Sequence, residues 1–158
     1  MLEGRLEIDK TFNFQEFYNH YISLYLDQYF IFIPNVGYIV WRYGTGENVE
    51  LLHIRSFETG KGTGPKLVKV MLRELQKKPP FFSIFGFMLA SNEPVIKMYR
   101  KMGFNTMEIP APYKGCSSVM ICQSYDVLCS NLMDEQGKKD ADKMIDDAKK
   151  FGVYKLIN

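Results

Sequence analysis

Residues 81–89, FFSIFGFML, constrain the fold more than any other stretch. Apolar side chains fill both the odd and the even positions, so a strand made from them has no polar face to offer water. Such a strand belongs in the middle of a sheet, covered by helices on both sides. The run is too short to cross a bilayer as a helix, and no secretory flanks surround it. Helical patterns lie on either side. Pro65 to about Gln76 places Val68, Met71, Leu72 and Leu75 on one stripe and is stopped by Lys77-Lys78-Pro79-Pro80. Downstream, Ser91 or Asn92 caps a helix with Pro94 in its first turn. Val95, Met98, Tyr99 and Met102 share one of its faces, and Gly103 ends it.

The other elements follow from spacing and turn residues. Residues 13–28 read as one amphipathic helix. YFIFI reads as a strand broken by Pro34-Asn35, GYIVWRY as a second, and VELLHIRSF as a third after a hairpin turn at 44–48. FNTMEI and SSVMICQSY supply two more. Helix, three strands, helix, strand, helix, two strands is a mixed α/β (α+β) order, with a crossover helix making part of the sheet parallel. At 158 residues, one core suffices. We place the main domain at 1–128 and a charged, helical C-terminal extension at 129–158. In MDEQGKKDADKMIDDAKK only Ala141, Met144, Ile145 and Ala148 form an apolar stripe. That stripe fits a solvated helix docked by one narrow face, or a surface for a homodimer or another partner. VYKLI at the end fits a docked strand.

Composition excludes several classes of function. A net charge of +2 argues against tight duplex nucleic-acid binding and against an anionic membrane. Three cysteines without a CxxC pair point to a reducing cytoplasm rather than a disulfide framework, and two histidines are too few for a His-based metal site.

FETGKGTGPKLVKVML, residues 57–72, sets three glycines in five residues before a helix. The spacing fits neither the P-loop nor the GxGxxG dinucleotide pattern. The physics shared by both remains. Glycines let several backbone N–H groups converge at the positive end of a helix, which makes an anion site suited to a pyrophosphate. The alternative is a flexible strand-to-helix turn with no ligand.

A second segment bears on that choice. ASNEPVIKMYRKMGF, residues 90–104, joins the apolar strand to a helix ending in Gly-Phe. Together the two segments resemble the GNAT superfamily of acyl-CoA-dependent N-acyltransferases, over roughly residues 10–126. The first signature of that family reads here as Ile54, then Thr59-Gly60-Lys61-Gly62-Thr63-Gly64; the second as Asn92, Tyr99, Gly103 and Phe104. Thr59 stands where the family carries Arg or Gln, so charge would come instead from Lys61, Lys66 or Arg55.

The resemblance implies a central twisted mixed sheet flanked by helices, acetyl-CoA as co-substrate, and direct attack by an amine on the thioester. It implies that the amides of residues 60–64, with Thr59, hold the pyrophosphate. Backbone groups of Leu52, His53 and Ile54 would pair with the pantetheine arm, Asn92 would hydrogen-bond it, and Tyr99 would act as general acid beside the sulfur. For a base, strand alternation sets Glu50, Leu52 and Ile54 on one face, with Glu50 the ionisable group and His53 on the other face. Asn48 could position a water. Three readings stay open: an N-acetyltransferase acting on an unidentified amine, a GNAT-fold interaction module without catalysis, and an acyltransferase acting on a protein or a modified nucleobase.

Overall fold

The computed structural model describes residues 14–19, 27–58, 60–78, 80–109 and 117–157. In chain order the elements are α1 (Phe14–Phe17), β1 (Gln28–Ile33), β2 (Gly37–Tyr43), β3 (Val49–Ser56), α2 (Thr63–Leu75), β4 (Ser83–Leu89), α3 (Glu93–Met102), β5 (Asn105–Ile109), β6 (Ser118–Ser124), α4 (Tyr125–Leu132), α5 (Glu135–Phe151) and β7 (Val153–Lys155). The seven strands form one sheet in the order β5-β6-β4-β3-β2-β1-β7. Only β3 and β4 pair in parallel; every other neighbour is antiparallel. The parallel pair is the one joined by the crossover helix α2, as a strand–helix–strand unit requires.

The main core lies between the sheet and helices α2–α5. Leu67, Val68, Met71, Leu72 and Leu75 of α2 meet Ile31, Ile39 and Trp41 of the sheet, all essentially without exposure. The charged C-terminal helix is part of this core. Ala141, Met144, Ile145 and Ala148 of α5 are buried in it, and Arg73 of α2 donates to both carboxylate oxygens of Asp142, at 2.9 and 3.3 Å. β7 then adds to the sheet edge beside β1. The opposite face carries a smaller cluster of Phe30, Tyr38, Val40 and Phe57, against which Tyr18 packs.

Three sequence expectations change. Among the described residues, the doubly apolar strand β4 is well covered on one face only. Ile84 and Gly86 are buried on the helical side, whereas Phe87 is 51% and Leu89 58% exposed on the other, with Met107 of β5 also exposed across Met120 of β6. Exposed apolar side chains are common on folded proteins, so an apolar run can overstate burial. The helix expected over 13–28 is helical at Phe14–Phe17, but Gln28 already belongs to β1, opposite Arg42; residues 20–26 lie outside the described residues. Finally, the strand ending near Tyr125 gives way to helix α4, whose N-cap Ser124 accepts a hydrogen bond from Val127 N–H at 3.2 Å. No helix among the described residues is long and apolar enough to cross a membrane.

Candidate active site

The sheet comes apart at its parallel joint. β3 and β4 pair only at Val49↔Ile84 and Glu50↔Phe85. Beyond those rungs β3 stays with β2 as far as Ser56↔Gly37, and β4 stays with β6 as far as Leu89↔Ser118. The two half-sheets therefore diverge, and the facing edges of residues 51–56 and 86–89 lose each other as partners.

Side chains pin the closed end. Ser83 Oγ donates to Asn48 Oδ1 at 2.7 Å, Asn48 Nδ2 donates to the Thr45 carbonyl at 2.9 Å, and Phe82 N–H donates to the Glu47 carbonyl at 2.9 Å. Asn48 thus locks a turn. Gly86 sits just beyond the last rung, where a Cβ would come within 2.8 Å of the Leu51 carbonyl oxygen. Only glycine lets the strands approach this closely at the joint.

A groove of about 1080 Å³ opens from the joint towards α2 and α3. Leu52, His53, Ile54, Gly60, Gly62, Thr63, Gly64, Asn92 and Tyr99 all line it, so the fold brings most of the sequence-selected residues together. Gly60 and Gly62 take left-handed backbone, φ +79° and +70°, which favours glycine. Gly62 is the N-cap of α2 and no side chain caps that end, so the first helical amides have no side-chain acceptor. Gly64 packs against Met98 of α3. Cations also gather here. Arg55, Lys69, Lys97 and Lys101 line the groove against the single carboxylate Glu58. Lys97 and Lys101, four apart on α3, belong to no recognisable pattern; only the docking of α3 brings them to the groove. Lys61 itself does not line it and pairs with Glu58 at 3.2 Å in the open. Thr59 lies outside the described residues.

Two polar groups stand out on the helical side. Asn92 Oδ1 is buried and accepts no hydrogen bond, although Asn92 is the N-cap of α3. A buried acceptor without a donor is costly, so it suits a ligand N–H. Tyr99 is 2% exposed and packs edge-on against Phe104, with ring centroids 5.3 Å apart. Burial pushes its phenol well above the ordinary value of 10, so it stays protonated through the physiological range.

On β3 the observed faces differ from simple alternation. Leu51 pairs with Trp41 and His53 with Val40, which leaves Leu52 as the extra residue of a β-bulge. Trp41 and Leu51 belong to the main core, and half-buried Ile54, opposite Ile39, packs against it. Val40 belongs to the second cluster, and half-buried Leu52 packs against that. Ile54 therefore faces away from Glu50 and Leu52, and His53 joins Glu50's face. Glu50 lies across from Arg42, which donates Nε at 3.0 Å to Glu50 Oε1 and brings Nη2 to 2.9 Å of the same atom. It does not line the groove.

No family model and no curated protein matches the sequence. Solved structures do. An Arabidopsis thaliana NAA60 in complex with acetyl-CoA aligns with TM-score 0.57 at 14% identity, over 79% of this chain and 93% of its own. A GNAT-family protein from Desulfovibrio desulfuricans gives 0.57 at 15% identity, over 70% and 76%. Nourseothricin acetyltransferase gives 0.54 at 18% identity, over 63% of this chain. The chain has the GNAT fold. It spans 66% of the length of nourseothricin acetyltransferase. Ile54 and the glycine turn line the groove from the β3–α2 side, Asn92 and Tyr99 from the β4–α3 side.

Proposed function

We propose that this GNAT-fold protein is an N-acetyltransferase that moves the acetyl group of acetyl-CoA to a primary amine. The observation that carries the proposal is the parted β3–β4 joint. The groove beyond its last rung runs from a glycine-lined helix N-terminus to a buried phenol, past a buried carboxamide oxygen that lacks a donor. The NAA60 structure is a complex with acetyl-CoA, which supports the same ligand here.

The residues present suit that ligand. The amides of residues 60–64, at the positive end of α2, would hold the pyrophosphate, with Lys97 and Lys101 adding charge. The bulge leaves Leu52 out of the β2–β3 ladder, so its backbone groups would be offered to the pantetheine arm beside His53 and Ile54. Asn92 Oδ1 would accept from one of its amide N–H groups. When bound, acetyl-CoA supplies the activated acyl group as a thioester. Tyr99 would hold a proton beside the sulfur. A buried phenol is a weak acid beside an ordinary thiol, whose pKa is about 8.5. Its first contribution is therefore a hydrogen bond to charge developing on sulfur, with the proton following.

The test is thermal. Ligand at about 100 times its Kd stabilises by about 2.7 kcal/mol, which raises Tm by roughly 5–11 °C for a chain of this size. No shift with millimolar acetyl-CoA rejects the proposal. A shift without thiol release, across a panel of tyramine, ethanolamine and a short peptide, favours a GNAT-fold binding module instead. Tyr99→Phe should keep the shift and lower thiol release by roughly tenfold or more. Unchanged release removes Tyr99 from the reaction.

A further inference from the structure

We propose that the acceptor is a primary amine bearing an uncharged apolar chain, which lies on the open face of the sheet along Phe87, Met120 and Met107. The proposal rests on the acetyl-transfer reading and gives its acceptor a chemical class.

The face is built by register. Residues directly opposed across antiparallel strands share one side of the sheet. Phe87, Met120 and Met107 therefore form one row across β4, β6 and β5. Phe85 and Cys122, with Asn105, form the row before it; Leu89 and Ile109, with Ser118, form the row after. Phe85 meets Phe87 edge-on, with ring centroids 5.9 Å apart. The intervening Gly86, Val119 and Ile121 turn to the helical side and are buried. No Asp, Glu, Lys, Arg or His stands in any of the three rows. At the far end Met107 is 62% exposed. Contiguous exposed apolar surface of this kind marks a binding site.

The groove joins this face to the chemistry. It passes through the parted joint, with Met98 and Tyr99 lining it from the helical side and Phe87 from the open side. Tyr99 and the sulfur take the helical side, so the acceptor nitrogen reaches the thioester carbon from the open one. There the β2–β3 half of the face is already filled by the cluster of Tyr38, Val40 and Phe57, with Leu52 and Tyr18 packed against it. Among the described residues nothing fills the β4 half beyond Phe87, so the substituent on nitrogen leaves along the row of Phe87. The row spans two strand spacings, about 10 Å, to the sheet edge.

The side chains of the rows select its chemistry. A charged group laid over them would lose water and meet no counter-charge. An alkyl or aryl chain would bury against phenylalanine and methionine, which adapt to irregular apolar shapes. In the transfer the C–N bond forms as the C–S bond breaks, and the bonding pair stays with sulfur. The nitrogen loses one proton and the sulfur gains one, giving CoA and an N-substituted acetamide.

The test follows thiol release at saturating acetyl-CoA with n-butylamine, n-hexylamine and n-octylamine, which are equally basic and differ only in length. kcat/KM should rise roughly fourfold at each step, half the effect in free energy of fully burying two methylenes, since one flank of the chain stays in water. Met107→Glu should flatten the last step, the one that reaches β5, and its Tm shift with acetyl-CoA shows that the variant is folded. Val153→Glu, on β7 and outside the face, should keep the parent series. A flat or falling series on the parent protein overturns the proposal and leaves acetyl transfer standing, whether or not the variants fold. So does an unaltered rise in folded Met107→Glu, or a preference for the short peptide over every alkylamine. A parent dimer that Met107→Glu splits into monomers in analytical ultracentrifugation gives the face to a second copy and overturns it too. Absence of any acetyl-CoA shift, or of thiol release with every amine, overturns the transfer reading and this proposal with it.

Discussion

Gly86→Ala is the sharpest probe of the parted joint. The added Cβ would lie 2.8 Å from the Leu51 carbonyl oxygen, where ordinary contact begins at 3.4 Å. The obstacle is backbone, and the backbone is held on both flanks: Leu51 opposite Trp41 and Gly86 opposite Ile121. Relief therefore requires β3 and β4 to separate by about 0.6 Å beside their two parallel rungs. Overpacking of this kind costs about 1–3 kcal/mol, or a Tm loss of roughly 2–12 °C for a chain of this length. Gly64→Ala is the control. Its Cβ would lie closer still to Met98 Sδ, but a methionine end can rotate aside. Gly64→Ala should thus destabilise less than Gly86→Ala despite the shorter distance. Thermal melts, monitored by circular dichroism with and without millimolar acetyl-CoA, measure both variants. The reasoning fails if Gly86→Ala melts within about a degree of the parent, or if Gly64→Ala is the more damaging.

Two further outcomes test the C-terminal helix and the buried phenols. Ala148 is fully buried in the main core, so Ala148→Glu should cost about 3–5 kcal/mol through an unpaired buried charge, whereas Lys149→Glu, on the exposed side, should stay within about 0.5 kcal/mol; equal melting of the two would mean that α5 is not part of the cooperative unit. Burial raises the phenols of Tyr99 and Tyr125, and burial with neighbouring Tyr29 and Glu74 pushes Tyr43 up to about 12. In the unfolded chain each ionises near 10, so their contribution to stability is complete below pH 10 and is lost as pH rises beyond it. Absorbance at 295 nm should show a late-titrating class among the ten tyrosines; a single step at pH 10 would show that these phenols are not shielded.

Much of the molecule was legible in the sequence because it is local. The α2 and α3 stripes, the glycines before α2 and the stop at Gly103 each depend on residues within one or two turns, and each appears where the pattern puts it. The narrow stripe of α5 likewise marks its buried side. Local signals failed at three kinds of place. Helix α4 follows β6 without a break, and only the cap at Ser124 marks the change. The apolar odd face of β4 gave no hint that nothing among the described residues would cover Phe87 and Leu89. Lys97 and Lys101 carry no motif, so their place beside the groove became visible only once α3 was docked.

The sequence by itself determined which residues could line the groove and on which elements they sit. Tertiary structure decided which of them meet. Alternation along β3 assigned Glu50, Leu52 and Ile54 to one face, and that rule holds only while each residue has one partner. One surplus residue against β2 breaks it at Leu52, turns Ile54 to the core and brings His53 round to the face of Glu50. A bulge is a property of two strands together, as is the parting of β3 from β4, and neither is encoded within a window of one.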